Sequence, residues 1–164
     1  MLPTRLIFAV LAGLIAAGAA CADDDVATIR DQNGCQVYNP NPQPNETVRW
    51  SGACKNGFTD GDGVLEWYIA GRLEERYEGS MRAGWAEGTG TFVSRQGMRY
   101  KGEWKRSLQE GKGVSQGPDG SVYEGQWRAG KPHGWGIYRT PDGQSIEGEW
   151  EDGEIKSESS SRKI

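Results

Sequence analysis

Histidine occurs once in the 164 residues, at His133. One imidazole cannot build a multi-histidine zinc site, and no serine or cysteine nucleophile stands in a pattern that would use it as a base. Apolar residues make up only 35% of the chain, below the usual globular share. Many of them fall in the first 22 positions, so the rest cannot fill a thick aliphatic core. Basic residues form no block, and the formal net charge is −4. That balance speaks against nucleic acid and against purely electrostatic docking to anionic lipid.

Long hydrophobic runs are also missing. The one apolar stretch, 6–20, is shorter than the roughly 20 residues of a membrane span. It follows the single charge of Arg5 and leads into Ala17-Gly18-Ala19-Ala20-Cys21-Ala22, the layout of a secretory leader. Residues 1–22 are therefore expected to be a signal peptide cleaved before Asp23, with the chain exported to the periplasm or secreted. A lipid anchor on Cys21 is the alternative; Gly18 stands where a bacterial lipobox usually has Leu, Val or Ile. Beyond Cys21 the only cysteines are Cys35 and Cys54. In an oxidising compartment such a pair is expected to form a disulfide, worth about 3 kcal/mol in the chain-entropy model. Two free thiols in a reducing compartment are the other reading.

Glycine is abundant, 25 residues, about twice average usage. Its placement is periodic. Tyr77-Glu78-Gly79, Tyr100-Lys101-Gly102, Tyr123-Glu124-Gly125 and Ile146-Glu147-Gly148 recur at intervals of 23 residues. Nine residues after each of the first three glycines begins a Gly-x-Gly: Gly88/Gly90, Gly111/Gly113 and Gly134/Gly136. Trp50-Ser51-Gly52 and Gly61/Gly63 form an earlier unit, longer by four residues within Glu66 to Arg76. Tyr123, Gly125 and Trp127 alternate with Glu124 and Gln126, which is strand periodicity. Turn signals follow at Gly57, Gly84, Gly130 and Gly153, with Ser107 the exception. A second set lies at Gln96-Gly97, Asp119-Gly120 and Asp142-Gly143. A glycine between aromatic positions leaves a gap that a neighbouring ring can cover, so a single-layer sheet needs no second sheet beneath it. Tyr77, Gly79, Tyr100, Gly102, Trp104, Tyr123, Gly125, Trp127, Gly134, Gly136, Gly148 and Trp150 are the expected structural set. Met81 and Cys54 occupy the Trp slot of the first two units.

The run Tyr123-Glu-Gly-Gln-Trp-Arg-Ala-Gly-Lys-Pro-His-Gly-Trp-Gly136 resembles the MORN (membrane occupation and recognition nexus) motif, Tyr-x-Gly-x-Trp-x-x-Gly-Lys-x-His-Gly-x-Gly. The resemblance extends over about Trp50 to Gly153. It implies an all-β fold, an elongated single-layer antiparallel sheet of successive hairpins. The expected organisation is a cap with a Pro/Asn-rich loop at 23–49, tied by the Cys35–Cys54 bridge. Units follow at 50–76, 77–99, 100–122 and 123–145, then a partial unit at 146–155 that stops after its first strand, and a disordered tail at 156–164. The resemblance also implies an interaction platform for a protein or peptide, with lipid or a membrane surface as the alternative. Enzymes of the family carry a separate catalytic domain, and the repeats are followed here only by the short tail, so no enzymatic activity and no cofactor are expected.

Two tempting sites fail on spacing. Asp60-Gly61-Asp62-Gly63 has Val64 and Gly71 where a calcium loop needs oxygen ligands. The Gly-x-Gly pairs lack the third glycine and the helix of a dinucleotide site. No metal is expected. Trp135 differs from the other aromatics. It fills a variable slot held elsewhere by Asp62, Thr89 and Lys112, and its side chain should point away from the glycine face. Trp85, in the turn after Gly84, is the second residue outside the motif. These two are the expected partner-binding residues.

Overall fold

The computed structural model describes residues 26–158. The proposed signal segment, Cys21 and residues 159–164 lie outside the described residues. Thirteen strands and no helix form among those described: β1 (Thr28–Arg30), β2 (Gln36–Tyr38), β3 (Glu46–Trp50), β4 (Ala53–Lys55), β5 (Phe58–Ile69), β6 (Arg72–Arg82), β7 (Trp85–Ser94), β8 (Arg99–Lys105), β9 (Leu108–Gln116), β10 (Val122–Arg128), β11 (Lys131–Arg139), β12 (Ser145–Glu151) and β13 (Glu154–Glu158). They make one open sheet in which β5 to β13 follow chain order, each antiparallel to the next. At about 4.8 Å per strand, these nine strands span roughly 40 Å.

Two kinds of turn join them. The tight ones, Asn56-Gly57, Ala70-Gly71, Ala83-Gly84, Arg106-Ser107, Ala129-Gly130 and Asp152-Gly153, hold both residues at positive φ. That is the type I′ hairpin, whose twist matches the strands. Carboxylates of the preceding unit brace three of them. Asp60, Glu87 and Glu110 accept the amides of Ala83, Arg106 and Ala129. The Asp-Gly sequences sit in the longer connections at the other edge, the edge that also carries Ala70-Gly71. There only the glycine has positive φ, and Asp119 accepts from the amide and hydroxyl of Ser121.

One face carries the core. Tyr77, Trp104, Tyr100, Trp127, Tyr123 and Trp150 stack edge to face, with centroids 5.1–5.3 Å apart. Each tyrosine hydroxyl donates to the carbonyl three residues on, at Ser80, Glu103 and Gln126. Each indole N–H donates 3.1 Å to the glycine carbonyl fourteen residues back, Gly90, Gly113 and Gly136. The polar tips are thus satisfied while the rings stay buried, as a one-layer core requires.

The glycine pairs make room for these rings. Gly79↔Gly90, Gly102↔Gly113 and Gly125↔Gly136 face each other across neighbouring strands. A Cβ on Gly90, Gly113 or Gly136 would stand 2.5–2.7 Å from ring carbons of Tyr77, Tyr100 or Tyr123. The demand is steric, because none of these three has positive φ. Trp50 takes the tyrosine slot of the first unit, and its Nε1 donates to the carbonyl three residues on, at Ala53.

The N-terminal hairpin β1–β2 lies across the tight-turn ends of the first two units. The amides of Gln36 and Tyr38 donate to the carbonyls of Gly57 and Gly84. Cys35, buried just before β2, is disulfide-bonded to Cys54 on β4, with Cα atoms 5.7 Å apart.

The extra four residues of the first unit lengthen the β5–β6 hairpin around Ala70-Gly71, within the expected Glu66 to Arg76. Two boundaries differ from the sequence expectation. β3 already pairs with β5 from Glu46, so the sheet begins inside the segment assigned to the cap. The fifth unit does not stop after one strand. β13 pairs with β12, and Ile155 packs on the core, which orders Lys156–Glu158 within the expected tail.

Gly136→Ala should destabilise the sheet by about 1–3 kcal/mol through overpacking. On a Tyr123→Ala background the same change should cost far less, and a double-mutant cycle by urea denaturation measures that coupling. Reducing Cys35–Cys54 should cost about 3 kcal/mol. It should lower the melting temperature and let protease cut before Val48 ahead of the repeats, as mass spectrometry of the digest would reveal. Burial raises the Tyr77 and Tyr123 phenols to about 12, with Asp62 and Glu87 adding to the effect at Tyr77. Burial raises Tyr100 in the same direction. Unfolded tyrosine ionises near pH 10, so this stabilisation is complete below about pH 10 and is lost as pH rises through about 12. Denaturation midpoints measured across that window should fall less steeply for Tyr123→Phe.

Candidate binding surface

The face opposite the aromatic ladder is built by the same alternation. One row across the strands runs through Asp62, Ser80, Thr89, Glu103, Lys112, Gln126, Trp135 and Glu149. A second runs through Val64, Glu78, Thr91, Lys101, Val114, Glu124, Ile137 and Glu147. Between them lies an open furrow floored by glycine backbone. One stretch is lined by Asp62, Ser80 and Thr89 with Val64 and Glu78. The other is lined by Lys112, Gln126 and Trp135 with Val114 and Glu124.

The row that holds Trp135 follows bulges in the Gly-x-Gly strands. Gly61, Gly88, Gly111 and Gly134 all have positive φ, and the register slips beside the last three. The residue after each glycine is pushed out onto the furrow wall. In the last two bulges its amide is held by the strand before. Glu103 accepts from Lys112 N–H at 2.9 Å, and Gln126 accepts from Trp135 N–H at 2.8 Å. This fixes the backbone under Trp135, so its indole is presented by a rigid element.

Trp135 is 50% exposed, and Val114, two strands away in the same furrow, is 40% exposed. Leu73 is the third large exposed hydrophobic among the described residues and does not line the furrow. Charges around the two are mixed. Glu124 pairs with Arg139 at 3.3 Å, Lys101 and Lys112 flank Val114, and Glu149 and Glu147 stand opposite Trp135 and Ile137. Val114 was not singled out from the sequence, although counting two residues on from Lys112 places it on this face. Glu147 and Glu149 were not singled out either; the same parity places them there.

Trp85 lies elsewhere. It begins β7 at the tight-turn edge, stacked 4.2 Å from Tyr38 with Arg106 over its other side at 5.2 Å. Its faces are filled by the cap and by Arg106, so it does not join Trp135 in one patch. Tyr38 also stacks on Phe58 at 5.5 Å. Trp85 therefore clamps the N-terminal hairpin. His133 sits near the tight turn of the last unit, its Nδ1 4.0 Å from Asp152. The structural set from Tyr77 to Trp150 lies on the opposite face, in the ladder and its glycine gaps, except for Gly134, whose positive φ makes the bulge before Trp135, and Gly148, which β13 covers at Ile155 and Ser157.

No curated protein matches the chain. The family model for the MORN repeat matches residues 77–99, 100–122 and 123–145. Those three segments have the boundaries of consecutive hairpin units, each opening on a ladder tyrosine or its flanking strand. Residues 77–145 of the chain are three consecutive MORN repeats.

Proposed function

We propose that the chain is a non-catalytic binding and scaffolding module of the cell envelope, and that it engages a protein or peptide partner along the furrow at Trp135. The observation that carries this is the joint exposure of Trp135 and Val114 in one furrow, on a rigid sheet whose other face is occupied by its own core. A half-exposed tryptophan beside an exposed aliphatic is the composition of an interface anchor. Its slot holds Asp62, Thr89 or Lys112 in other units, so packing does not require an indole there. Export is supported by the leader-like first 22 residues and is compatible with the disulfide. The mixed charge of the furrow favours a protein segment over an anionic bilayer.

Placing a photo-crosslinking amino acid at Val114 in intact cells tests the surface. It should give discrete adducts, whereas Gln96, at the far turn edge, should give none. Trp135→Ala should remove those adducts, weakening the complex by about 2 kcal/mol or roughly 30-fold, with little change in melting temperature. Trp127→Ala should act oppositely, costing about 3 kcal/mol or more of stability. Adducts that persist in Trp135→Ala, or that form equally from Gln96, would remove the furrow from consideration.

A further inference from the structure

Resting on the binding role proposed above, we infer that the occupant of the furrow is an extended basic protein segment, whose arginine or lysine lies on the Trp135 indole. The argument starts from the strand beyond Trp135. β12 presents Glu147, Glu149 and Glu151 on the furrow side and no basic residue. Glu149 is directly across from Trp135, and Glu147 is across from Ile137. Glu151 is paired with Lys156 at 3.0 Å, and Glu124 with Arg139. Glu147 and Glu149 have no ion-pair partner among the described residues. An exposed indole with two uncompensated carboxylates beside it is complementary to a cation. The ring face attracts it through the quadrupole, and the carboxylates accept its N–H groups.

Two strands away the surroundings are mixed: Val114 offers apolar surface with Lys101 and Glu124 as its cross-strand neighbours and Lys112 two residues before it, and Glu124 is paired with Arg139. Val114 on β9 and Trp135 on β11 stand on opposite walls of the furrow, two strand spacings apart across the sheet and two residues apart along the strands, about 12 Å in all, which an extended chain covers in about four residues with both side chains on one face. The fitting segment thus carries an apolar side chain over Val114 and a cation about four residues away over Trp135.

The test uses isothermal titration of the full chain with a short capped peptide holding leucine and arginine four residues apart. A second peptide replaces the arginine with glutamine. The arginine peptide should bind, and the glutamine peptide should bind about fivefold or more weaker. Glu147→Gln with Glu149→Gln should weaken the arginine peptide by a similar factor. Glu154→Gln with Glu158→Gln, which changes the same net charge at the sheet edge, should leave it unchanged. Equal binding of both peptides, no binding of either, or equal loss from the edge variant would overturn the inference. So would phosphatidylcholine vesicles that compete with the peptide and show the same dependence on Trp135 and Glu149, because the cation would then be a lipid headgroup. The two readings separate cleanly. If Trp135→Ala removes the crosslinks at Val114 while Glu147→Gln with Glu149→Gln keeps them, the surface stands and the cationic occupant falls.

Discussion

A tyrosine ring lying over two facing glycines is the contact on which the sheet depends. A single-layer sheet has no opposing layer against which to bury its side chains. Here each ring lies along its own sheet instead, over Gly79↔Gly90, Gly102↔Gly113 and Gly125↔Gly136. That geometry sets the rest. The tryptophans fill the space between successive tyrosines edge to face, and their N–H groups find the glycine carbonyls. Along the repeats the hydrophobic gain comes mainly from aromatic area, joined by Val48, Leu65 and Met81 toward the N-terminal end of the sheet, which explains how a chain with 35% hydrophobic residues builds a continuous core. The cost is intolerance at the glycines, where even one methyl group would meet a ring.

The same packing frees the second face. Since all core contacts are made on one side, the residues between the glycines answer only to solvent, local hydrogen bonds and a partner. Asp62, Thr89, Lys112 and Trp135 occupy equivalent places with unrelated chemistry, while Gly134 and Gly136 beside Trp135 are held by packing and backbone demands. The bulges add to this division. Gln126 and Glu103 secure the displaced amides, so the slot keeps its geometry whatever side chain it carries. Variable chemistry on an invariant frame is the physical basis of a recognition surface in a repeat array.

The repeat frame was legible because its constraints are local and recur: the 23-residue spacing, the alternation Tyr123, Gly125, Trp127, and the turn glycines all describe one hairpin. Trp135 could be assigned to the free face by parity alone. What could not be read involves contacts between distant segments. Trp85 looked unclaimed because its partner, Tyr38, arrives from a non-repetitive hairpin 47 residues earlier. Lys156–Glu158 carry the composition of a tail, yet backbone pairing with β12 and the burial of Ile155 order them. Glu147 and Glu149 become notable only once β12 is placed beside Trp135.

Near-identical units bring a problem of register that the ring-over-glycine contact does not solve. A slip of one residue would drive a Cβ into every ring, so it is excluded. A slip of one whole unit, or an exchange of a unit between two copies of the chain, would restore nearly every contact. Local packing is almost blind to that error. The irregular end of the molecule is not. The β5–β6 hairpin is longer than the others, Trp50 replaces tyrosine, and the disulfide joins the hairpin that rests on Gly57 and Gly84 to β4. Only one unit can meet that end. The N-terminal hairpin thereby gives the array an origin from which its strands are counted, a role in folding fidelity separate from its contribution to stability.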